Sequence, residues 1–259
     1  MSSWGADRTL MDPSATALLA LAAATLVGAA VQAITGFGFA ILAAPVFLAV
    51  LNSTEAVPLL AALHIVQSAM LVPRLWSKVP AQLFRWLMLG AGIGCPLGLM
   101  LFSSLDVRGL KLAAGVTILV ASALMYLRSR RRLAPRPQDG GTLEPVAMGV
   151  MSGALTALLV MPGPPLMILL MRKPLPPETA RALSLTFFAA CYVAVTLMNL
   201  GLGTLTLASA PTAMQLVLPV IAGTIGGRKL APLLPARHFM AALYMLLVLA
   251  GLGAIVSAL

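Results

Sequence analysis

The chain is 259 residues long, 60% hydrophobic and only 9% charged, with a formal net charge of +10. A soluble globular domain carries about 25% charged residues, so this chain has too little polar surface to cover a water-soluble body. Several of its runs reach the roughly 20 apolar residues that cross a bilayer as a helix. A soluble enzyme, a secreted disulfide scaffold, a disordered chain and an outer-membrane barrel, whose strands would alternate, are all excluded, leaving an all-α polytopic membrane protein.

Residues 1–13 form an N-terminal tail holding Asp7, Arg8 and Asp12, without the basic start or small-residue cleavage site of a signal peptide. Apolar stretches follow at about 14–51, 55–73, 83–104, 109–127, 145–171, 179–199, 208–227 and 238–258. The first is about twice the length one crossing needs and is interrupted by Thr35-Gly36-Phe37-Gly38. The fifth is interrupted by Pro162-Gly163-Pro164-Pro165. Proline removes a backbone donor and clashes with the preceding turn, and glycine weakens a helix interior by about 1 kcal/mol. Each of these two stretches is therefore predicted to be two helical pieces joined by non-helical backbone, either a re-entrant hairpin or two short crossings.

The cations fall between the stretches. Arg74, Lys78 and Arg85 form one cluster, and Arg128, Arg130, Arg131, Arg132 and Arg136 occupy the central linker. Arg172, Lys173 and Arg181 follow the fifth stretch, and Arg228, Lys229 and Arg237 precede the last. With all four groups cytoplasmic, only Arg8, Arg108 and Lys111 lie outside, as the positive-inside rule expects. This topology accounts for the basic charge without nucleic acid as a partner. Trp76 and Trp86 beside the first cluster suit an aromatic belt. Linkers 128–144 and 172–178 then share a side, the broken stretches enter and return, and the N-terminus is outside. The chain divides into a tail (1–13), a first transmembrane repeat (14–127), a basic cytoplasmic linker (128–144) and a second repeat (145–259).

Each repeat has about five helical segments, an odd number, so the two run through the membrane in opposite senses. Sequence spacing points the same way. Gly94, Gly98 and Arg108 have counterparts in Gly223, Gly227 and Arg237 at a constant offset, Gly38 with Ile41-Leu42 answers Gly163 with Leu166-Met167, and Glu55-Ala56 answers Glu178-Thr179-Ala180. Inverted repeats with a broken helix at the first motif of each half are the architecture of many secondary transporters.

The motifs also resemble a known family. Gly36-Phe37-Gly38-Phe39-Ala40, followed by Pro45, is similar to the first glycine-rich motif of the TauE/SafE sulfite exporter family, also called the toluene-sulfonate uptake permeases. Met161-Pro162-Gly163-Pro164-Pro165-Leu166 resembles the Gly-Pro-Pro form of the matching motif in the second half. The resemblance extends over essentially the whole chain. It implies a multi-pass permease of the bacterial inner membrane for small sulfur-containing anions such as sulfite and organosulfonates, or for related carboxylates. Both motifs depart from the richer Gly-Gly-Gly version, which bears on the identity of the substrate more than on transport.

The physics of the motifs agrees with an anion site. A helix broken inside the membrane frees N–H and C=O groups, which only protein or a polar cavity can satisfy. The resumed half-helix presents free N–H groups and about half a positive charge. Gly36, Phe37 and Gly38 with Gly163 and Pro164 are the backbone candidates for substrate binding. The alternative for each break is a simple kink in packing helices.

Among side chains, His64 lies near the middle of 55–73 with Gln67 and Ser68 one turn on, and an ionisable group at that depth is a functional candidate. A neutral histidine hydrogen-bonded between helices is the alternative. Gln32 and Thr35 precede the first break, and Ser184, Thr186 and Tyr192 occupy the second-half helix equivalent to that of His64. Each could donate to an anion or bridge helices. Asn199 reads as interfacial.

The seven acids all fall in loops or at helix starts, and Glu55 and Glu178 sit where a carboxylate favours a helix N-terminus. Cys95 and Cys191 lack metal-ligand spacing and read as small core residues. No Walker motif, catalytic triad or metal cluster occurs, so neither a cofactor, a metal nor enzymatic activity is expected. The expectation is a permease for a small oxyanion working by alternating access, with His64 able to link transport to protons as coupling ion. A carboxylate permease shares the same pattern; a non-transporting membrane scaffold would also be apolar and Gly-rich but would need no paired breaks.

Overall fold

Helix follows helix through the described residues of this computed structural model, 14–130, 141–173, 175–202, 210–231, 245 and 248–258, with no strand among them. In the first part of the chain α1 spans Ala15–Thr35, α2 Phe39–Leu51, α3 Ala56–Leu71, α4 Ala81–Ser104 and α5 Val107–Arg130. In the second, α6 spans Leu143–Leu159, α7 Gly163–Arg172, α8 Pro177–Gly201 and α9 Ala210–Leu230. Residues 248–256 are also helical. Six segments among the described residues are long and apolar enough to cross a bilayer: α1, α3 with the 3-10 turn after it, α4, most of α5, α8 and α9. The protein is an all-α, multi-pass membrane protein.

Three of the helices α1–α9 fall short of a crossing's length, α6 with 17 residues only just, α2 and α7 by far. α2 has 13 residues and α7 has 10, rises of about 20 and 15 Å. Both follow the interruptions seen in the sequence, so each long apolar stretch is a long helix plus a half-length one. The Arg172 guanidinium pairs with Glu144 at 2.9 Å, joining the end of α7 to the first turn of α6. This hairpin therefore leaves and returns on one face. Lys78 pairs with Glu178, which brings the α3–α4 connection and the start of α8 to one face as well. Both acids lie in first turns, as their sequence positions suggested.

Three expectations shift. α5 continues to Arg130, so the central linker begins a few residues later than 128. Asn199, near the end of α8, is packed inside the protein instead of facing solvent: it is 1% exposed and donates to its own helix at the Val195 carbonyl. The second break lies at 160–162, described below. The tail 1–13, linker residues 131–140 and, in the stretch 238–258, residues 238–244 and 246–247 lie outside the described residues.

Between membrane helices the hydrophobic effect gives no drive, so close packing of small residues does the work. α4 and α6 pack along Gly90, Gly94 and Gly98 against Gly149 and Gly153. A Cβ on Gly90, Gly94 or Gly98 would strike the carbonyl oxygen of Val146, Val150 or Ala154. α9 packs on α1 in the same way, with Gly223 and Gly227 against the Leu26 and Ala30 carbonyls. The glycine pairs matched by sequence offset thus make matching contacts: the third long segment of each part of the chain docks on the first helix of the other. On its outer side α4 exposes Leu89, Ile93, Leu97 and Met100, a one-face apolar stripe that suits lipid.

At the far end of α2, Asn52 adopts a left-handed conformation and its Oδ1 accepts a 2.8 Å hydrogen bond from Lys111 Nζ, which is only 8% exposed. Lys111 therefore brings positive charge to the C-terminal, negative end of the α2 dipole.

Candidate anion site between two broken helices

The first break is built by its own residues. Gly36 and Gly38 have φ of 89° and 114°, a region glycine enters at no steric cost. The Gln32 Oε1 accepts the Phe39 N–H at 3.1 Å, and Thr35 Oγ1 accepts the Phe37 N–H at 3.2 Å. Gln32 and Thr35 thus hold the turn. The N–H groups of the first three residues inside a helix have no intrahelical acceptor. With Phe39 taken by Gln32, those of Ala40 and Ile41 lead α2.

The second break is made differently. Val160 takes a left-handed φ of 59° while fully buried, and its N–H and that of Met161 bond back to the Thr156 and Leu155 carbonyls. A β-branched residue there is an outlier, of the kind held in place by surrounding packing. Gly163, Pro164 and Pro165 are the first turn of α7, not part of the break. The physical reason is that prolines at the start of a helix sit where an N–H would be orphaned anyway. Only Gly163 of that first triplet carries an N–H, so α7 is the poorer donor of the two half-helices.

A line of rings joins the two starts. Phe39, the first residue of α2, stacks on His64 with centroids 4.2 Å apart. His64 meets Tyr192 of α8 at 4.4 Å, and Tyr192 meets Phe188 at 6.4 Å. Phe188 Cζ is 3.9 Å from where a Cβ on Gly163 would stand. The line therefore runs α2, α3, α8, α7, and every ring in it is buried, so the site is closed to solvent. His64 Nδ1 lies 2.8 Å from the Leu60 carbonyl. A carbonyl only accepts, so Nδ1 carries the proton and Nε2 is the free acceptor. That Nε2 is buried with no hydrogen-bond partner.

The structure brings His64, Tyr192 and Gly163 into this line, with the Gly36–Gly38 turn leading into Phe39. Gln67 stands beside it: its amide nitrogen donates to the Ala29 carbonyl at 2.8 Å and to Thr224 Oγ1 at 3.3 Å, leaving Oε1 buried and unpartnered. Ser184 donates to its own helix at Ala180. Thr186 is buried with an unpartnered hydroxyl, but six residues from Tyr192 it is about 240° around the helix and off the ring line.

Three residues escaped the sequence reading. Phe39 lay inside the quoted glycine motif but carries no polar atom, and Phe188 lies one turn from both Ser184 and Tyr192. Arg181 was counted with the basic loops. It is half-buried, and its guanidinium donates to the Ala33 carbonyl across the first break. No group of three or more potential metal ligands occurs among the described residues.

No curated protein and no solved structure matches the chain. The family described as sulfite exporter TauE/SafE matches it over residues 20–254, a span that holds both breaks and the ring line between them. The chain belongs to the TauE/SafE sulfite exporter family.

Proposed function

We propose that the protein is an inner-membrane secondary permease for small sulfur-containing oxyanions, sulfite or organosulfonates. The anion binds between the starts of α2 and α7, and alternating access moves it across. The basic face is cytoplasmic, the N-terminus is outside, and the two halves, each with one broken stretch, are inverted relative to each other.

The observation that carries this reading is the ring line from Phe39 through His64 and Tyr192 to Phe188 and Gly163. It ties two half-helix N-termini, each favourable to negative charge, to one buried imidazole. The four carboxylates described, Glu55, Asp106, Glu144 and Glu178, sit at or just before helix starts, away from this line, so an anion there meets no like charge. Because α2 keeps two N–H groups where α7 keeps one, the oxyanion leans on α2.

Flux of radiolabelled sulfite, an alkanesulfonate and a carboxylate into proteoliposomes, with and without a pH gradient, tests the reading. Uptake of the sulfur oxyanions that the carboxylate fails to inhibit supports it. Carboxylate flux alone, or no flux, overturns it.

A further inference from the structure

Resting on the permease reading above, we propose that Arg181 is a second anion contact, at the basic-face mouth of the path. It would take the oxyanion before the anion reaches the half-helix starts.

Arg181 lies four residues into α8, whose first turn is tied to the basic face through Glu178 and Lys78. Its side chain crosses to the first break: the terminal nitrogen donates to the Ala33 carbonyl, and its Cγ stands 3.0 Å from where a Cβ on Gly36 would be. Glycine at 36 is favoured by its φ of 89°, and it also leaves room for the arginine side chain, which a Cβ would crowd. The guanidinium is not satisfied by these contacts. Its Nε is buried and has no hydrogen-bond partner. A planar guanidinium with one donor used and others open is suited to a sulfonate or sulfite edge.

The charges acting on Arg181 are Arg228 and Glu178. Glu178 is exposed and shared with Lys78, while Arg228 adds a second cation at the end of α9. The balance at the mouth favours an anion. The position along α8 connects this mouth to the site already described. Arg181, Ser184, Phe188 and Tyr192 follow one another by three, four and four residues, so they share a helix face. From Arg181 to Tyr192 the helix rises about 16 Å. An anion leaving Arg181 along that face passes a serine and one edge of the ring line before meeting His64. The bland reading is that Arg181 only caps the carbonyl end of α1, a favourable place for a cation. A cap needs the Ala33 contact alone and would leave anion affinity alike from both faces.

The test uses the full chain in proteoliposomes of defined orientation, with sulfite and methanesulfonate as probes. Arg181→Met is expected to raise KM by about tenfold or more for loading from the basic face, the loss of a charge-assisted hydrogen bond, with little change for loading from the other face. Arg181→Lys keeps the charge but loses the fork, and its KM should fall between the two. If the methionine variant does not assemble, the lysine variant decides. A KM unchanged from the basic face, or raised equally from both, overturns the inference. A wild-type protein that moves neither probe overturns the permease reading itself, whereas wild-type flux with unaltered variants overturns this inference alone.

Discussion

The imidazole of His64 and the ring of Tyr192 sit 4.4 Å apart, centre to centre, although one belongs to α3 and the other to α8, in opposite parts of the chain. The contact lies at the α3–α8 interface. On one side it continues to Phe39 and the start of α2, and on the other to Phe188 and the start of α7. Any motion that separates α3 from α8 opens this contact and changes both half-helix starts together. On the permease reading proposed above, this single interface would couple the candidate anion site to the rearrangement of alternating access.

His64 should link anion binding to protons. With Nδ1 committed to the Leu60 carbonyl, Nε2 is the atom that gains a proton, and Phe39 and Tyr192 are the rings packed against the imidazole. An anion at Nε2 favours the protonated ring, so anion and proton bind together. The protonated fraction rises as pH falls. His64→Gln is therefore expected to weaken anion binding more near pH 6 than near pH 8. Isothermal titration at both pH values checks this, and parent-like binding at both would make His64 a packing residue.

Two glycines on one helix should respond oppositely to a methyl group. A Cβ on Gly94 meets the Val150 carbonyl, whereas nothing lies within 4 Å of one on Gly92. Gly94→Ala is expected to cost about 3 kcal/mol, the upper end of overpacking, since backbone cannot yield as a side chain can. Gly92→Ala should be neutral or stabilising by up to about 1 kcal/mol through helix propensity. Reversible unfolding in mixed micelles measures both, and equal effects would contradict the α4–α6 packing.

Gln67 and Thr224 hold α3, α1 and α9 at one point. A double-mutant cycle of Gln67→Leu and Thr224→Val should give a coupling of about 0.6 kcal/mol, the usual size for hydrogen bonds between membrane helices. The larger loss in Gln67→Leu alone would come from the Ala29 carbonyl it leaves behind. Additive effects would mean the two side chains do not meet in the membrane.

Reporter fusions in the 74–80 connection and in the linker between Arg130 and Leu143 should both be cytoplasmic. The Lys78–Glu178 pair ties the first region to the start of α8, and the Arg172–Glu144 pair ties the end of α7 to the start of α6, just after the linker. Fusions reporting opposite sides would break the proposed topology, and with it the inverted arrangement of the halves.

Much of this was legible in the sequence because the membrane reads composition directly. Apolar length gave the spans to within a few residues, as for the stretch 55–73, which forms Ala56–Leu71 and a 3-10 turn. Glycine and proline gave both interruptions. The exact turn in the second was misplaced because proline tolerates a helix start as readily as it ends one, and the residue that bends there, Val160, has no turn propensity to advertise it. His64 and Tyr192 stood out as polar groups at depth, but Phe39 and Phe188 did not, since aromatic rings are unremarkable in an apolar run. Arg181 was hidden by its neighbours in sequence: a cation near a basic loop reads as topology until the fold lays it across another helix.

The docking of α9 on α1 has a consequence for how the protein is made. The glycines that receive α1, Gly223 and Gly227, are translated about 200 residues after it, roughly 10–40 s at ordinary ribosome speeds. Through that interval α1 waits in lipid or at the insertion machinery with its carbonyl-lined groove uncovered, while α4 meets α6 much sooner. The first half synthesised alone would leave both α1 and α4 without their glycine-matched partners. Two separately expressed halves should therefore be degraded individually and become stable only when made together in one cell.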